Sequence, residues 1–263
     1  MGNVAIVTGG TSGIGLHTAR YLHSQGCTVY TVSRRAEGCD GMHHLSADVT
    51  RPEDVARVVA QVLQQEGKID LLINNAGFGI SGAVEFTTLA DAKHQLEVNF
   101  WGMAAMTRAV LPHMRQAGGG RIVNISSVAA PAAIPFQTYY SASKAAINAF
   151  TLATANEVRP FGITMCAVMP GDICTGFTQA RHKIPVGDDI YQGRIGRSVA
   201  GMEKDERTGM APEIAGRFVG KVALRRSHKP LYTIGLKYRG CVALLKLLPS
   251  RVSNWLVGKL YAT

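Results

Sequence analysis

Tyr140 and Lys144 stand four residues apart in Tyr140-Ser141-Ala142-Ser143-Lys144, with Ser127 thirteen positions upstream. Four residues make about one turn of helix, so a helical segment here sets the phenol and the ammonium on one face within reach of each other. A phenol with an ordinary pKa of about 10 is a poor proton donor or acceptor at neutral pH, and a neighbouring cation favours the phenolate and lowers that value. Tyr140 could then give or take the proton of an alcohol. The same spacing also makes exposed pairs worth only about 0.2–0.5 kcal/mol, so the pair must be read with its surroundings. No other tyrosine of the chain has a lysine four residues on.

The elements that would carry this pair are legible in the apolar pattern. Short runs rich in Val and Ile at 4–7, 28–32, 69–73, 121–125 and 163–168 alternate with segments of helical length. Strands buried on both faces with crossover helices between them read this way, and a doubly wound parallel α/β sheet of Rossmann type follows, with helices on both faces. Thr50-Arg51-Pro52-Glu53 reads as a helix start, with Thr50 as the cap, and Gly67 as that helix's end.

The first strand runs into Thr8-Gly9-Gly10-Thr11-Ser12-Gly13-Ile14-Gly15, ahead of a helical stretch at 16–24. Glycines there let the backbone turn sharply and approach a pyrophosphate, and a helix N-terminus presents amide N–H groups to an anion. A dinucleotide site is expected, although the spacing departs from G-x-G-x-x-G. After the second strand comes Ser33-Arg34-Arg35, with no acid between Leu16 and Ala36. An acid at that point would favour NAD, whereas a guanidinium there suits the extra phosphate of NADP, so NADP(H) is the expected cofactor. The solvated-turn alternative for the two arginines remains because Glu37 is close. Asp48-Val49 ends a third strand near the expected adenine edge, and Asn74-Asn75-Ala76-Gly77 ends a fourth at the carboxyl side of the sheet, where such folds bind ligands.

With the glycine turn, Asn-Asn-Ala-Gly, Ser127 and Tyr-x-x-x-Lys in this order, the chain resembles the short-chain dehydrogenase/reductase family from Val4 to Thr175. The resemblance implies that Ser127 binds a substrate carbonyl, Tyr140 transfers the proton, and Lys144 lowers the Tyr140 pKa and binds the nicotinamide ribose. It implies that Asn99, in Glu97-Val98-Asn99-Phe100, anchors a water in a proton relay, and that Pro170, Gly171 and Thr175 flank the nicotinamide. Gly9, Thr11, Ser12, Gly13, Ile14, Gly15, Ser33, Arg34, Arg35, Asp48, Val49, Asn75, Ala76 and Gly77 complete the expected cofactor site. Ser126 competes with Ser127, but strand alternation turns it away, and the spacing to Tyr140 matches the family for Ser127. The adjacent His43 and His44 point apart in an extended segment, so no metal cluster is expected. Weaker similarity reaches the hydroxysteroid, retinol and acyl-dihydroxyacetone-phosphate reductase branches. A homo-oligomer, dimer or tetramer, is the expected assembly.

At 263 residues and 46% hydrophobic, one domain spanning 1–263 is expected. Five cysteines (Cys27, Cys39, Cys166, Cys174, Cys241) without a CxxC pair argue against a disulfide framework and for a reducing, cytoplasmic setting. No secretion signal is visible, and Met1-Gly2 lacks the Ser or Thr at position 6 that myristoylation needs. Residues 216–263 carry ten of the 28 basic residues and no acid, leaving 18 basic against 18 acidic before them, so the whole net charge of +10 belongs to this segment. Phosphate-bearing partners, anionic lipid or plain solvation would each suit it; no nucleic-acid partner is expected.

Residues 173–212 show no clean period and read as a substrate loop, with a helix starting at Ala211-Pro212-Glu213. Phe136, Met169, Ile173, Phe177 and Met202 would suit a lipophilic ketone. The basic segment at 213–263 has no uninterrupted span for a bilayer, and it either packs over the substrate pocket, meets a subunit, or touches a membrane through Trp255, Leu256 and Leu260. The expected function is an NADP(H)-dependent interconversion of a ketone and a secondary alcohol on a steroid-like or lipid substrate. A 3-oxoacyl-thioester reductase and a non-catalytic protein binding anionic partners through its tail are the alternatives.

Overall fold

In a computed structural model, which describes residues 2–39, 41–225 and 229–262, all five expected apolar runs supply strands of one central sheet, which also takes in His43–Ser46 and Leu231–Thr233. Met1 and Arg226 of the basic segment lie outside the described residues. The first half runs β1 (Val4–Thr8), α1 (Gly13–Ser24), β2 (Thr28–Ser33), β3 (His43–Ser46), α2 (Pro52–Glu66), β4 (Leu71–Asn74), β5 (Ile80–Ser81), α3 (Leu89–Leu96), α4 (Gly102–Gln116) and β6 (Gly120–Ile125). The second continues with α5 (Ala129–Ala132), α6 (Thr138–Val158), β7 (Ile163–Met169), α7 (Phe177–Ala180), β8 (His182–Lys183), α8 (Arg194–Arg207), α9 (Pro212–Leu224), β9 (Leu231–Thr233), α10 (Leu236–Leu247) and α11 (Ser250–Tyr261).

The order β3-β2-β1-β4-β6-β7-β9, all parallel, reverses direction between β1 and β4. Successive side chains of a strand point to opposite faces, and β1 uses both. Val4 and Ile6 pack with Val55, Val58 and Val62 of α2 and Met106, Val110 and Met114 of α4. Ala5 and Val7 pack on the other face with Ala19 and Leu22 of α1 and Ala215, Val219 and Val222 of α9. The carboxyl ends of β1 and β4 therefore open into a crevice where ligands of such folds bind.

Three expectations change. Thr50 does not cap α2: Arg51 holds the cap position, and the Thr50 hydroxyl donates instead to Asp48 Oδ1 at 2.8 Å. The third strand ends at Ser46, so Asp48 and Val49 belong to the turn after it. The 173–212 segment is largely ordered: α8 runs for 14 residues, and β8 pairs with β5. Its neck is closed where Met210 N donates to Asp172 O and Cys174 N donates to Met210 O, both at 2.9 Å. Gly67 ends α2 as expected, in a left-handed conformation with φ 73°.

Two glycines of α9 let it lie tightly on α1. A Cβ on Gly216 would fall 2.5 Å from His17 Cβ and 2.7 Å from Thr18 N, with backbone among the obstacles. Gly216→Val is therefore expected to lower stability by about 1–3 kcal/mol through overpacking. Urea unfolding reads this directly, and an unchanged midpoint would show that the helices can separate without cost.

Candidate active site

Helix α6 brings Tyr140 and Lys144 onto one face, as their spacing requires, with Lys144 Nζ 5.6 Å from the Tyr140 ring centroid. Ser127 follows β6 by two residues, and its hydroxyl engages the Tyr140 phenol while accepting from Ala129 N at 3.1 Å. Ser126 is turned inward as alternation demands: it is buried and donates to Lys144 O at 3.1 Å.

Buried Lys144 donates to Ile125 O at 2.9 Å, and desolvation pulls its pKa down to about 8. Tyr140 moves the other way, to about 12, because burial outweighs the Ser127 hydrogen bond and the field of Arg181, while Glu206 and Asp172 add to the rise. Proximity of Lys144 thus does not set the phenol's pKa here. The ammonium is aimed at a carbonyl at the end of β6, and removal of water from around the phenol dominates.

Asn99 is buried at the centre of a π-helical turn, Glu97–Trp101, an irregularity that re-aims a side chain within an otherwise helical run. Its Oδ1 accepts from Phe78 N at 3.0 Å, and its Nδ2 donates to Phe78 O at 3.0 Å and to Ser143 Oγ at 3.1 Å. A Cβ on Gly77 would lie 3.0 Å from Asn99 Oδ1 and 3.7 Å from Lys144 Nζ, so the absence of a side chain at 77 is what lets these groups converge.

The glycine turn forms a cradle joined to both neighbouring strands. Gly9 has φ 64°, and Asn75 Nδ2 donates to Thr8 O at 3.1 Å and Gly9 O at 3.2 Å. Thr8 Oγ1 accepts from Asn75 N and Ala76 N, at 3.0 and 3.1 Å. Any Cβ on Gly15 would fall 2.3 Å from Gly9 O, while one on Gly13, at φ 51°, would touch Thr175 at 3.4 Å. Ser12, exposed, holds the cap position before α1, and Ile14 packs against the core that α1 and α9 share. Space that any side chain would fill, at the positive end of a helix, fits a pyrophosphate.

At the end of β2, Thr11 Oγ1 donates to Ser33 Oγ at 3.1 Å, and Arg35 Nη1 donates to Thr11 O at 3.1 Å, tying the turn to the strand. Arg34 is exposed and its charge reaches Asp48. Burial would raise the Asp48 pKa, but hydrogen bonds from Thr50 and the charges of Arg34 and Arg51 outweigh it and lower the value. Val49 packs over Gly102, at the start of α4. On the opposite flank Pro170 O accepts from Val128 N at 3.0 Å, and Gly171 lies directly beneath the Tyr238 ring.

Sequence reasoning missed a second set of polar groups over the site. Arg181 is 4% exposed, pairs with Glu206, lies 5.6 Å from the Phe177 ring centroid, and leaves Nε and Nη1 without a partner among the described residues. Glu206 also accepts from Thr178 at 2.7 Å. Asp172 accepts from the Tyr238 hydroxyl, and its pKa is raised by burial and by Asp205 and Glu206. The one sequence signal for the scaffold of these groups was the recurrence of Ile195, Val199 and Met202 at helical spacing. Tyr140 itself lies 5.8 Å from Phe177 between ring centroids and packs on the buried cluster of Ala129, Ile134 and Met202, against which Tyr261 also packs. Of the other apolar candidates, Phe136 is buried with Ala83 and Ile195, while Ile173 belongs to the core beneath the sheet. Met169 Sδ accepts from Asn148 at 3.4 Å.

The family model described as short chain dehydrogenase matches residues 3–184. A 3-ketodihydrosphingosine reductase of Bacteroides thetaiotaomicron is 38% identical over 256 residues, covering 96% of this chain and 93% of that protein. Among solved structures, a short-chain dehydrogenase from Streptomyces avermitilis superposes with a TM-score of 0.84 at 29% identity, covering 97% of this chain and 96% of that one. A 3-ketoacyl-(acyl-carrier-protein) reductase from Brucella melitensis, complexed with NADH, gives a TM-score of 0.75 at 25% identity, covering 89% and 96%. With this sheet, this glycine cradle and these relatives along its length, the chain belongs to the short-chain dehydrogenase family, as an oxidoreductase using a nicotinamide dinucleotide.

Proposed function

We propose that this protein is an NADPH-dependent reductase of a long-chain lipid ketone. The observation that carries the reading is the Ser127–Tyr140 pair, with Phe177 against the Tyr140 ring and an apolar cluster of Ala129, Ile134 and Met202 beneath it. When bound there, the nicotinamide would supply the hydride. Ser127 and Tyr140 would both hydrogen-bond the ketone oxygen, stabilising the charge that develops on it. With its pKa near 12, the Tyr140 phenol holds its proton at neutral pH and is the acid of the reductive direction. Lys144 would hold the ribose, and Asn99 Oδ1, which has a second lone pair beyond the one facing Phe78 N, would anchor a relay water.

Gly9, Thr11, Ser12, Gly13, Ile14 and Gly15 would hold the pyrophosphate, and Asp48, Val49, Asn75, Ala76 and Gly77 the adenosine side. Ser33 and Arg34 would surround the 2′-phosphate, with Arg35 holding the glycine turn beside them, and Pro170, Gly171 and Thr175 would flank the nicotinamide. The apolar enclosure supports a lipid over a sugar. The Bacteroides relative is named for a lipid ketone, which supports the same choice.

NADPH oxidation followed against a panel of ketones tests this. A long-chain 3-ketone should be turned over at least about tenfold more efficiently than a small soluble ketone, since each buried methylene contributes about 0.8 kcal/mol. Preference for a 3-oxoacyl thioester would move the substrate class, and absence of turnover on the whole panel would favour a binding role.

A further inference from the structure

Helices α10 and α11 are connected at Leu248 and Pro249, and they lie over α5, the short helix that follows Ser127. Their inner side is used: Val242 and Val257 are buried, Tyr238 binds Asp172, and Tyr261 packs on the cluster of Ala129, Ile134 and Met202 that Tyr140 also joins. Each helix buries only that one residue. Their outer side is bare and apolar, with Leu236, Leu247 and Leu260 exposed by 82%, 83% and 75%, and Leu244, Val252 and Trp255 exposed as well.

The bare side has a pattern. At about 100° per residue, Leu236, Gly240, Ala243 and Leu247 form one stripe of α10, flanked by Lys237 on one side and by Arg239 and Lys246 on the other. On α11, Val252, Trp255 and Lys259 stand opposite the buried Val257, next to Arg251. All five cations are exposed, and no Asp or Glu occurs anywhere after Glu213. A solvated face would mix signs and omit the leucines. A face that pairs only with protein would bury its leucines away from an unbalanced ring of cations. Apolar side chains set between cations, with a Trp at the boundary, match the headgroup layer of a membrane.

We infer that the outer face of α10 and α11 docks on an anionic phospholipid surface, with Leu247 and Trp255 entering the acyl boundary and the cations meeting lipid phosphates. No helix of the described residues is long and apolar enough to cross a bilayer, so the contact is peripheral. The roof of the site would then be the part of the protein against the membrane, placing Tyr140 one helix layer from the lipid. Docking does not depend on the lipid-ketone reading, because it is measured without substrate.

Sedimentation of the full chain with phosphatidylcholine vesicles, with and without added phosphatidylglycerol, tests the inference. The protein should partition onto the anionic vesicles and be released by salt. Lys246→Glu with Lys259→Glu should reduce that partition on the order of tenfold or more. Leu247→Ser with Trp255→Ser should reduce it comparably at physiological salt, where the apolar anchor is needed. Both variants should keep turnover of a small soluble ketone, which reports that the fold and site are intact. Equal partition onto neutral and anionic vesicles, or none onto either, would overturn the inference. So would light scattering in which Leu247→Ser with Trp255→Ser turns an oligomer into a monomer without altering partition, since that assigns the face to a second copy of this chain.

Discussion

Tyr140→Phe should lower turnover of the ketone by about a hundred- to ten-thousandfold while leaving dinucleotide affinity close to that of the parent protein. The range is that of a positioned general acid. The substitution removes one hydroxyl and keeps the ring, so its packing on Phe177 and on the cluster of Ala129, Ile134 and Met202 persists and the fold is preserved. Ser127 loses its phenol partner but still accepts from Ala129 N, so its hydroxyl stays in place to bind a carbonyl. What disappears is the proton that the alcohol product must receive. Water in so apolar a setting is a poor substitute, and binding of the ketone alone does not lower the barrier. Steady-state kcat with a ketone, alongside dinucleotide titration by fluorescence, checks both halves. A kcat within a few-fold of the parent would remove Tyr140 from the acid's role, and a parallel loss of dinucleotide affinity would make the defect structural.

The elements of this fold were legible where one local signal was enough. Each Val- and Ile-rich run became a strand because both faces of a parallel sheet are covered, as Val4/Ile6 and Ala5/Val7 illustrate within β1. The glycine turn and the Tyr140–Lys144 pair were legible for the same reason, since their geometry follows from contiguous sequence. Thr50 was misread because two local options compete: Asp48, two residues before it, captures its hydroxyl and amide in a turn.

Burial raises the phenol's pKa against the fall that the spacing to Lys144 suggests, because spacing gives neighbours and not the depth of burial. Arg181, Glu206, Asp172 and Tyr238 were invisible for a further reason. They belong to four separate segments and meet only when the 173–210 excursion and α10 fold back over β7. No period or motif encodes such a meeting, and α8 carries too many charges to stand out except through Ile195, Val199 and Met202.

The same distinction between local and assembled information decides the cofactor experiment. Ser33-Arg34-Arg35 gave two candidate cations, and the structure separates them by occupation. Arg35 spends an Nη1 donor on Thr11 O and so helps hold the glycine turn against β2. Arg34 is exposed at the end of β2, beside Asp48 on the next turn. A 2′-phosphate there would receive charge-assisted hydrogen bonds, which contribute about 1.5–3 kcal/mol, or roughly ten- to a hundredfold in affinity. Arg34→Ala should therefore weaken NADPH by that factor and leave NADH nearly unchanged, with the NADPH loss shrinking as salt screens the exposed charge. Arg35→Ala should weaken both dinucleotides together, because it loosens the turn proposed to hold the pyrophosphate common to them. Dissociation constants for both cofactors with both variants give four numbers. Equal losses of NADPH and NADH on Arg34→Ala would contradict phosphate recognition and leave Arg34 as a surface charge. A selective NADPH loss on Arg35→Ala alone would transfer the role to its neighbour.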